Sequence, residues 1–207
     1  TRDLSLFNKL QIKSDKSLIL RYVLSVDFVL GSAFLTEKMG LEDEMLVFND
    51  ATYIRMKPLP MSGYEENARD HFNSKEHWQN HKLFMPLFIR QWNEVIFPYC
   101  QMRLSFTEHA LLKTLTCYQM VYFRLTPEGR NVCAQQRNAV LAALHRAAEV
   151  EGLHDPAQRV GEIIMLMSGI MDYTLSLIGM YFKIKLFDLA KMDPMIKEMC
   201  SFQFQQS

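Results

Sequence analysis

A chain of 207 residues that is 49% hydrophobic and 12% aromatic can build one sizeable core and is too apolar to stay disordered. Its 23 Lys+Arg balance 23 Asp+Glu, so no basic stripe offers a nucleic-acid footprint, and DNA or RNA binding by this segment is excluded. Cysteines at 100, 117, 133 and 200 stand far apart with no Cys-x-x-Cys, so no zinc site is implied. No Asn-x-Ser/Thr site and no signal-peptide pattern occurs, which fits free thiols in a reducing compartment. The fourteen methionines suit ordinary gap filling in a core or an adaptable pocket equally well.

In chain order, the first strong helix starts at Ser14-Asp15, with Ser14 as cap and Asp15 at the positive end. The run Leu18 to Leu30 is apolar on nearly every face, which places it in a middle layer and predicts three helical layers. Gly40 marks the exit. Met45 to Phe48, Asn49-Asp50 and Ala51 to Ile54 read as a short hairpin, and Lys57 to Asn67 as a loop. Helical periodicity returns from Phe84 to Tyr99, with Pro86 in the first turn or at a kink. Thr107-Glu108 opens another helix, and Thr126 to Gly129 breaks it. An Ala-rich helix runs from about Asn131 to Gly152. Asp155-Pro156, a cap followed by proline, starts a helix that reaches Phe187. Its apolar stretch near Ile163 to Phe182 carries Asp172, which reads against a membrane span. Asp193-Pro194 starts a short final helix through Cys200.

Catalytic patterns are missing. There is no GxGxxG, phosphate loop, GxSxG or HExxH. His77 and His81 share a helical face, but Glu76, Gln79, Asn80 and Lys82 around them read as a solvated side rather than a metal site. His109 and His145 read as structural histidines. Asp27 and Asp172 read as buried acids paired with Arg or Lys rather than as functional groups with shifted pKa.

Several segments resemble the ligand-binding domain of nuclear hormone receptors, in that family's order. Phe7-Asn8-Lys9-Leu10 with Asp15-Lys16-Ser17-Leu18-Ile19-Leu20-Arg21 is similar to the signature at the end of the family's helix 3 and across helices 4 and 5. Leu104 to Lys113 resembles helix 8, Leu125-Thr126-Pro127-Glu128-Gly129-Arg130 the turn after it, and Arg159 the Arg opening helix 10. Met195-Ile196-Lys197-Glu198-Met199-Cys200 resembles the activation helix. The wording is closest to the divergent nematode receptors. Two departures stand out: four residues separate Leu10 from Asp15 where three are usual, and Lys16 replaces Gln.

The resemblance implies an all-α, three-layer antiparallel helical sandwich with one small β-hairpin. Residues 1–207 would form that domain, incomplete at its N-terminus and starting near the end of helix 3, so that one face of the core lies bare. It implies a nuclear, ligand-regulated transcription module and not an enzyme. This chain needs no cofactor, because zinc belongs to a DNA-binding domain outside it. The family pattern places Ser25, Phe28, Val29 and Ser32, with Val47 and Phe48 of the hairpin and Ser176, Gly179 and Met180 of the long helix, around an apolar ligand. Leu35 stands where some receptors use Arg to hold an acidic ligand. For a coactivator or corepressor helix, Glu198 would grip one end and Arg21 and Arg2 the other, with Met195, Ile196 and Met199 packing the activation helix on the body. A homo- or heterodimer would use the outer side of Asn131 to Glu151 and the start of the helix at Arg159. Two alternatives stand beside this reading: a receptor-fold domain with a filled pocket acting by protein contacts alone, and an all-α enzyme or scaffold.

Overall fold

The computed structural model describes residues 13–58, 60–194 and 196–197. Arg2, the Phe7 to Leu10 motif, Met195, Glu198, Met199 and Cys200 therefore lie outside the described residues. The fold is an all-α, three-layer antiparallel helical sandwich with one two-stranded hairpin.

Helix α1 spans Lys13–Leu35 and continues through a π turn at Thr36–Gly40. Lys13 is already helical, so Ser14 is not the cap. Asp15 is buried and serves the neighbouring layer instead: its carboxylate accepts from the Thr126 backbone N–H (3.2 Å) and hydroxyl (2.6 Å). Val26, Val29, Leu30 and Ala33 are wholly buried, whereas Leu20 and Leu24 on the same helix are 53% and 40% exposed. The expected middle-layer helix is thus covered on most of its circumference and bare along one apolar stripe. Gly40 lets the hairpin close onto α1, since a Cβ there would stand 2.7 Å from Val47 Cγ2.

Strands β1 (Met45–Val47) and β2 (Tyr53–Arg55) pair antiparallel with Leu46 opposite Ile54. The connection is not the two-residue Asn49-Asp50 turn that the sequence suggests. Ala51 N–H returns to Phe48 O (2.9 Å) with Ala51 at φ 62°, and Phe48 N–H meets Thr52 O (2.8 Å). A type I turn followed by a left-handed residue makes a three-residue loop, and the Asp50 carboxylate fixes it by accepting from the Thr52 N–H and hydroxyl.

Helix α2 spans Lys75–Gln91, starting well ahead of Phe84. Ser74 caps it by accepting from His77 N–H (3.0 Å), and Pro86 lies inside it rather than in its first turn. A π turn at Trp92–Ile96 leads into α3 (Phe97–Met102). Helix α4 (Phe106–Val121) begins one turn position earlier than Thr107-Glu108 implies, because Ser105 and Glu108 form a reciprocal capping box. Thr126-Pro127 ends that segment and also starts the next: Thr126 caps α5, which runs Pro127–Val150 rather than from Asn131. Helix α6 is Pro156–Phe187, capped by Asp155 through Gln158 N–H (2.9 Å), as its cap-proline signal predicts.

Helices α1, α4 and α5 lie side by side, and α6 packs across all three. The π turn at 92–96 and α2 close against α6. By length and composition both residues 13–40 and α6 could cross a membrane, Asp172 notwithstanding. Here they form the core, with Val26, Leu30, Ile170 and Tyr173 fully buried together.

Candidate functional site

The residues expected around a ligand fall into two groups. On α1, Ser25, Phe28, Val29 and Ser32 recur at helical spacing on the side that meets the hairpin. Ser32 O–H donates to Val47 O (2.7 Å), and Val47 N–H returns to Thr36 Oγ1 (2.9 Å), so both hydroxyls bolt β1 to the helix. Phe28 stacks on Phe48 with centroids 5.9 Å apart, Phe48 meets Phe88 at 5.0 Å, and Phe88 stacks on Phe84 at 6.0 Å. Four half-buried rings thus bridge α1 and α2 through the hairpin. Ser25 is 3% exposed and its hydroxyl has no hydrogen-bond partner. A buried hydroxyl left in that state costs about 1–3 kcal/mol, so it is the polar atom in this cluster with an unmet need.

The α6 group is placed differently. Ser176 accepts from Arg90 Nη1 (2.6 Å) and donates to Asp172 O (3.1 Å), which ties it to the Arg90–Asp172 ion pair. Gly179 has open space where a Cβ would stand, and Met180 is half-buried against the core. Among the α1 and hairpin residues, Ser32 contacts Val47 and Phe28 contacts Phe48, while the Ser176 hydroxyl is engaged by Arg90. Two clefts lined by described residues, of about 410 and 480 Å³, contain none of the nine.

The remaining titratable groups are structural in their surroundings. Glu108 is fully buried and receives Arg159 Nε at 2.7 Å and Nη2 at 2.9 Å, while Arg159 Nη2 also reaches Met102 O at 3.0 Å. Burial works to raise the Glu108 pKa, but hydrogen bonds from Arg159 and the Ser105 N–H, with the Arg159 charge, outweigh it and hold the carboxyl below its usual range. Arg159 therefore points into the domain instead of forming part of an outer surface. His109 is buried against Tyr99, whose hydroxyl lies 2.7 Å from Nδ1. Burial, then the nearby Lys113, pushes its pKa down to about 4, so it is neutral at pH 7. Asp27 pairs with Lys113 and Asp172 with Arg90, as expected of paired acids, although both are substantially exposed rather than buried. Burial pushes the thiols of Cys100, Cys117 and Cys133 up to about 11, 12 and 11. None of them is a thiolate at neutral pH. His77 is exposed and His81 hydrogen-bonds Met61 O, and no metal-binding cluster occurs among the described residues.

In the first half of α1, half-buried Arg21 neighbours the exposed Leu20 and Leu24. After α6, Lys197 N–H bonds Asp193 O (3.0 Å), so a helical turn begins at Asp193-Pro194, and Lys185 Nζ holds Lys197 O (3.2 Å). Ile196 is half-buried there. Sequence reasoning missed the Glu108–Arg159 pair and the contribution of Phe84 and Phe88 to the ring ladder. The Ser105-x-x-Glu108 spacing is the signal that marks Glu108 as inward-held.

The sequence profile of the family described as the ligand-binding domain of nuclear hormone receptor matches residues 3–187. Two Caenorhabditis elegans proteins, nuclear hormone receptor family members nhr-22 and nhr-11, are each 35% identical, over 191 and 190 residues and 92% of this chain. The chain spans only 33% and 41% of their lengths. The solved Ultraspiracle ligand binding domain from Drosophila melanogaster has a similar fold, with a TM-score of 0.63 at 14% identity over 95% of this chain and 71% of that one.

Proposed function

This chain belongs to the family of nuclear hormone receptor ligand-binding domains, which regulate transcription and are not enzymes, and on that premise we propose that it is a ligand-regulated transcription module working in the nucleus. An apolar molecule binds beside α1 and the hairpin, among Ser25, Phe28, Val29, Ser32, Val47 and Phe48, with Gly179 and Met180 of α6 closing the site. The observation that carries this reading over a filled core is the Ser25 hydroxyl, buried without a hydrogen-bond partner one helical turn before Phe28, whose ring stacks on Phe48. A core selected only for packing has no use for it, whereas one hydroxyl or carbonyl on a ligand would satisfy it. Ser176, engaged by Arg90, is the weakest member of the set.

The bound ligand favours the docked position of the terminal helix by its difference in affinity for the two states. The docked helix and the Leu20, Arg21, Leu24 stripe then receive a partner's short amphipathic helix. Arg21, with Arg2, meets the carbonyl end of that helix, and Glu198 meets its N–H end. Met195, Ile196 and Met199 seat the terminal helix. A second receptor pairs on the outer side of α5 and along α6, where Ile164 and Met165 are 39% and 77% exposed.

Native mass spectrometry of the purified protein tests the ligand directly. The expected result is an adduct of lipid mass that Ser25→Ala weakens or loses, while the unliganded variant gains about 1 kcal/mol of stability from deletion of an unsatisfied hydroxyl. No adduct, together with destabilisation by Ser25→Ala, would favour the filled core.

A further inference from the structure

A cleft of about 410 Å³ lies apart from the α1 and hairpin cluster, lined by Tyr64, Gln79, Lys82, Leu83, Asp188 and Leu189. Its walls are fixed by specific bonds. Trp78 Nε1–H donates to Gly63 O (2.8 Å), and His81 Nε2–H donates to Met61 O (2.5 Å). The Glu65 carboxylate accepts from the backbone N–H groups of Ser62 and Gly63 at 2.7 and 2.8 Å. Gly63, at φ +89°, lies so close to the lysine stem that a Cβ would stand 2.6 Å from Lys82 Cγ.

The Lys82 ammonium is 3.8 Å from the centroid of the Trp78 ring and 5.1 Å from that of Tyr64. Aromatic faces orient a cation but accept no conventional hydrogen bond from it. Among the described residues, Lys82 has no carboxylate partner and Asp188 no cationic one, and the Gln79 amide and Tyr64 hydroxyl make no hydrogen bond. Two opposite charges thus line one cleft without meeting, over the apolar side chains of Leu83 and Leu189. A few convergent polar groups around an apolar floor, in a volume of a few hundred Å³, is the usual form of a small-molecule site. A lone anion would face Asp188, a lone cation would face Lys82, and an uncharged molecule would leave both charges unanswered. We infer that this cleft binds a small zwitterion, an α-amino acid with an apolar side chain. Its carboxylate meets Lys82, its ammonium meets Asp188, and its side chain lies on Leu83 and Leu189. Such a ligand ties α2 to the chain just ahead of Asp193-Pro194 and so steadies the approach to the terminal helix.

Isothermal titration calorimetry with L-phenylalanine, N-acetyl-L-phenylalanine and L-phenylalaninamide tests the assignment. Phenylalanine should bind one to one, and each derivative, lacking one charge, should bind at least about tenfold more weakly. Lys82→Met and Asp188→Asn should each weaken phenylalanine by a similar factor, while Lys82→Arg retains binding and all three variants keep the parent's circular dichroism. No binding of phenylalanine at ~10 mM, equal binding of the three compounds, or parent-like binding by both charge-deleting variants would overturn the proposal, since charge pairing is its whole basis.

Discussion

Replacing Arg159 by Ala should be among the most damaging single changes in this domain that touch no ligand. The variant loses two hydrogen bonds to Glu108, at 2.7 and 2.9 Å, and one to Met102 O at 3.0 Å. More important is what remains. Glu108 is fully buried and would keep only the Ser105 N–H, at 2.9 Å, as a donor. Breaking a buried pair while leaving its charged partner inside costs about 3–5 kcal/mol, far more than the pair adds over an apolar replacement. Urea denaturation followed by circular dichroism is the assay. With a slope of about 2 kcal/mol per molar, the midpoint should fall by ~1.5–2.5 M. Arg159→Lys, which keeps the charge but not the fork, should lose about half as much. Glu108→Gln with Arg159→Met should recover most of the loss, because neither charge is then stranded. The pH dependence has a definite sign. Glu108's depressed pKa adds stability that is present above the unfolded value of about 4.3 and is lost as pH falls through the folded value. In Arg159→Ala burial is opposed only by the Ser105 hydrogen bonds and raises the Glu108 pKa, so the penalty exists at neutral pH and shrinks in acid. A midpoint shift under ~0.5 M at pH 7 would instead place this pair with exposed ion pairs of small effect.

His109 should make the domain acid-sensitive: its pKa of about 4 in the fold, against 6.5 unfolded, gives stability that is complete above 6.5 and falls by about 3 kcal/mol in total as pH drops to 4. His109→Phe should flatten the thermal-melting profile across that window, and an unchanged profile would show that the histidine is not buried neutral. Gly129→Ala should destabilise by about 1–3 kcal/mol, since its Cβ would come within 2.9 Å of Asp15 Cγ at the buried junction of α1 and α5. Gly161→Ala, with nothing within 4 Å of its Cβ inside α6, should instead stabilise by about 0.5–1 kcal/mol, and the two melting temperatures should move in opposite directions. Ser32→Ala should cost about 1 kcal/mol and loosen the hairpin, read as faster amide exchange in β1, because Val47 O loses its donor.

What the sequence made legible was local. Asp155-Pro156 announced α6 because a cap and a proline act within one turn, and the apolar run from Leu18 to Leu30 announced a core helix because burial of nearly every face leaves a compositional trace. The start of α2 was hidden by the polar run Lys75 to Lys82 and by Pro86, a residue that normally marks a first turn. Only Ser74, a cap without an apolar periodicity behind it, gave it away. Thr126 read as a terminator because a cap and a break share the same residues. Long-range pairs left no signal at all: Arg159 and Glu108 are 51 positions apart, and Arg90 and Ser176 are 86 apart. That is why Ser176, which the family resemblance assigns to the pocket, could not be seen from the sequence to be engaged by Arg90. The family pattern fixes which face a residue occupies, but not which neighbour reaches its polar atom first.

Opposite charges at the two ends of a partner helix are proposed to hold it, and fluorescence anisotropy of a labelled Leu-x-x-Leu-Leu peptide reads that binding out. With the ligand-bound protein, binding should be saturable, and Arg21→Glu and Glu198→Lys should each abolish it while keeping the parent's melting temperature. Parent-like binding by both variants would contradict that reading, because the surface between Arg21 and the terminal helix would then not be where the partner docks.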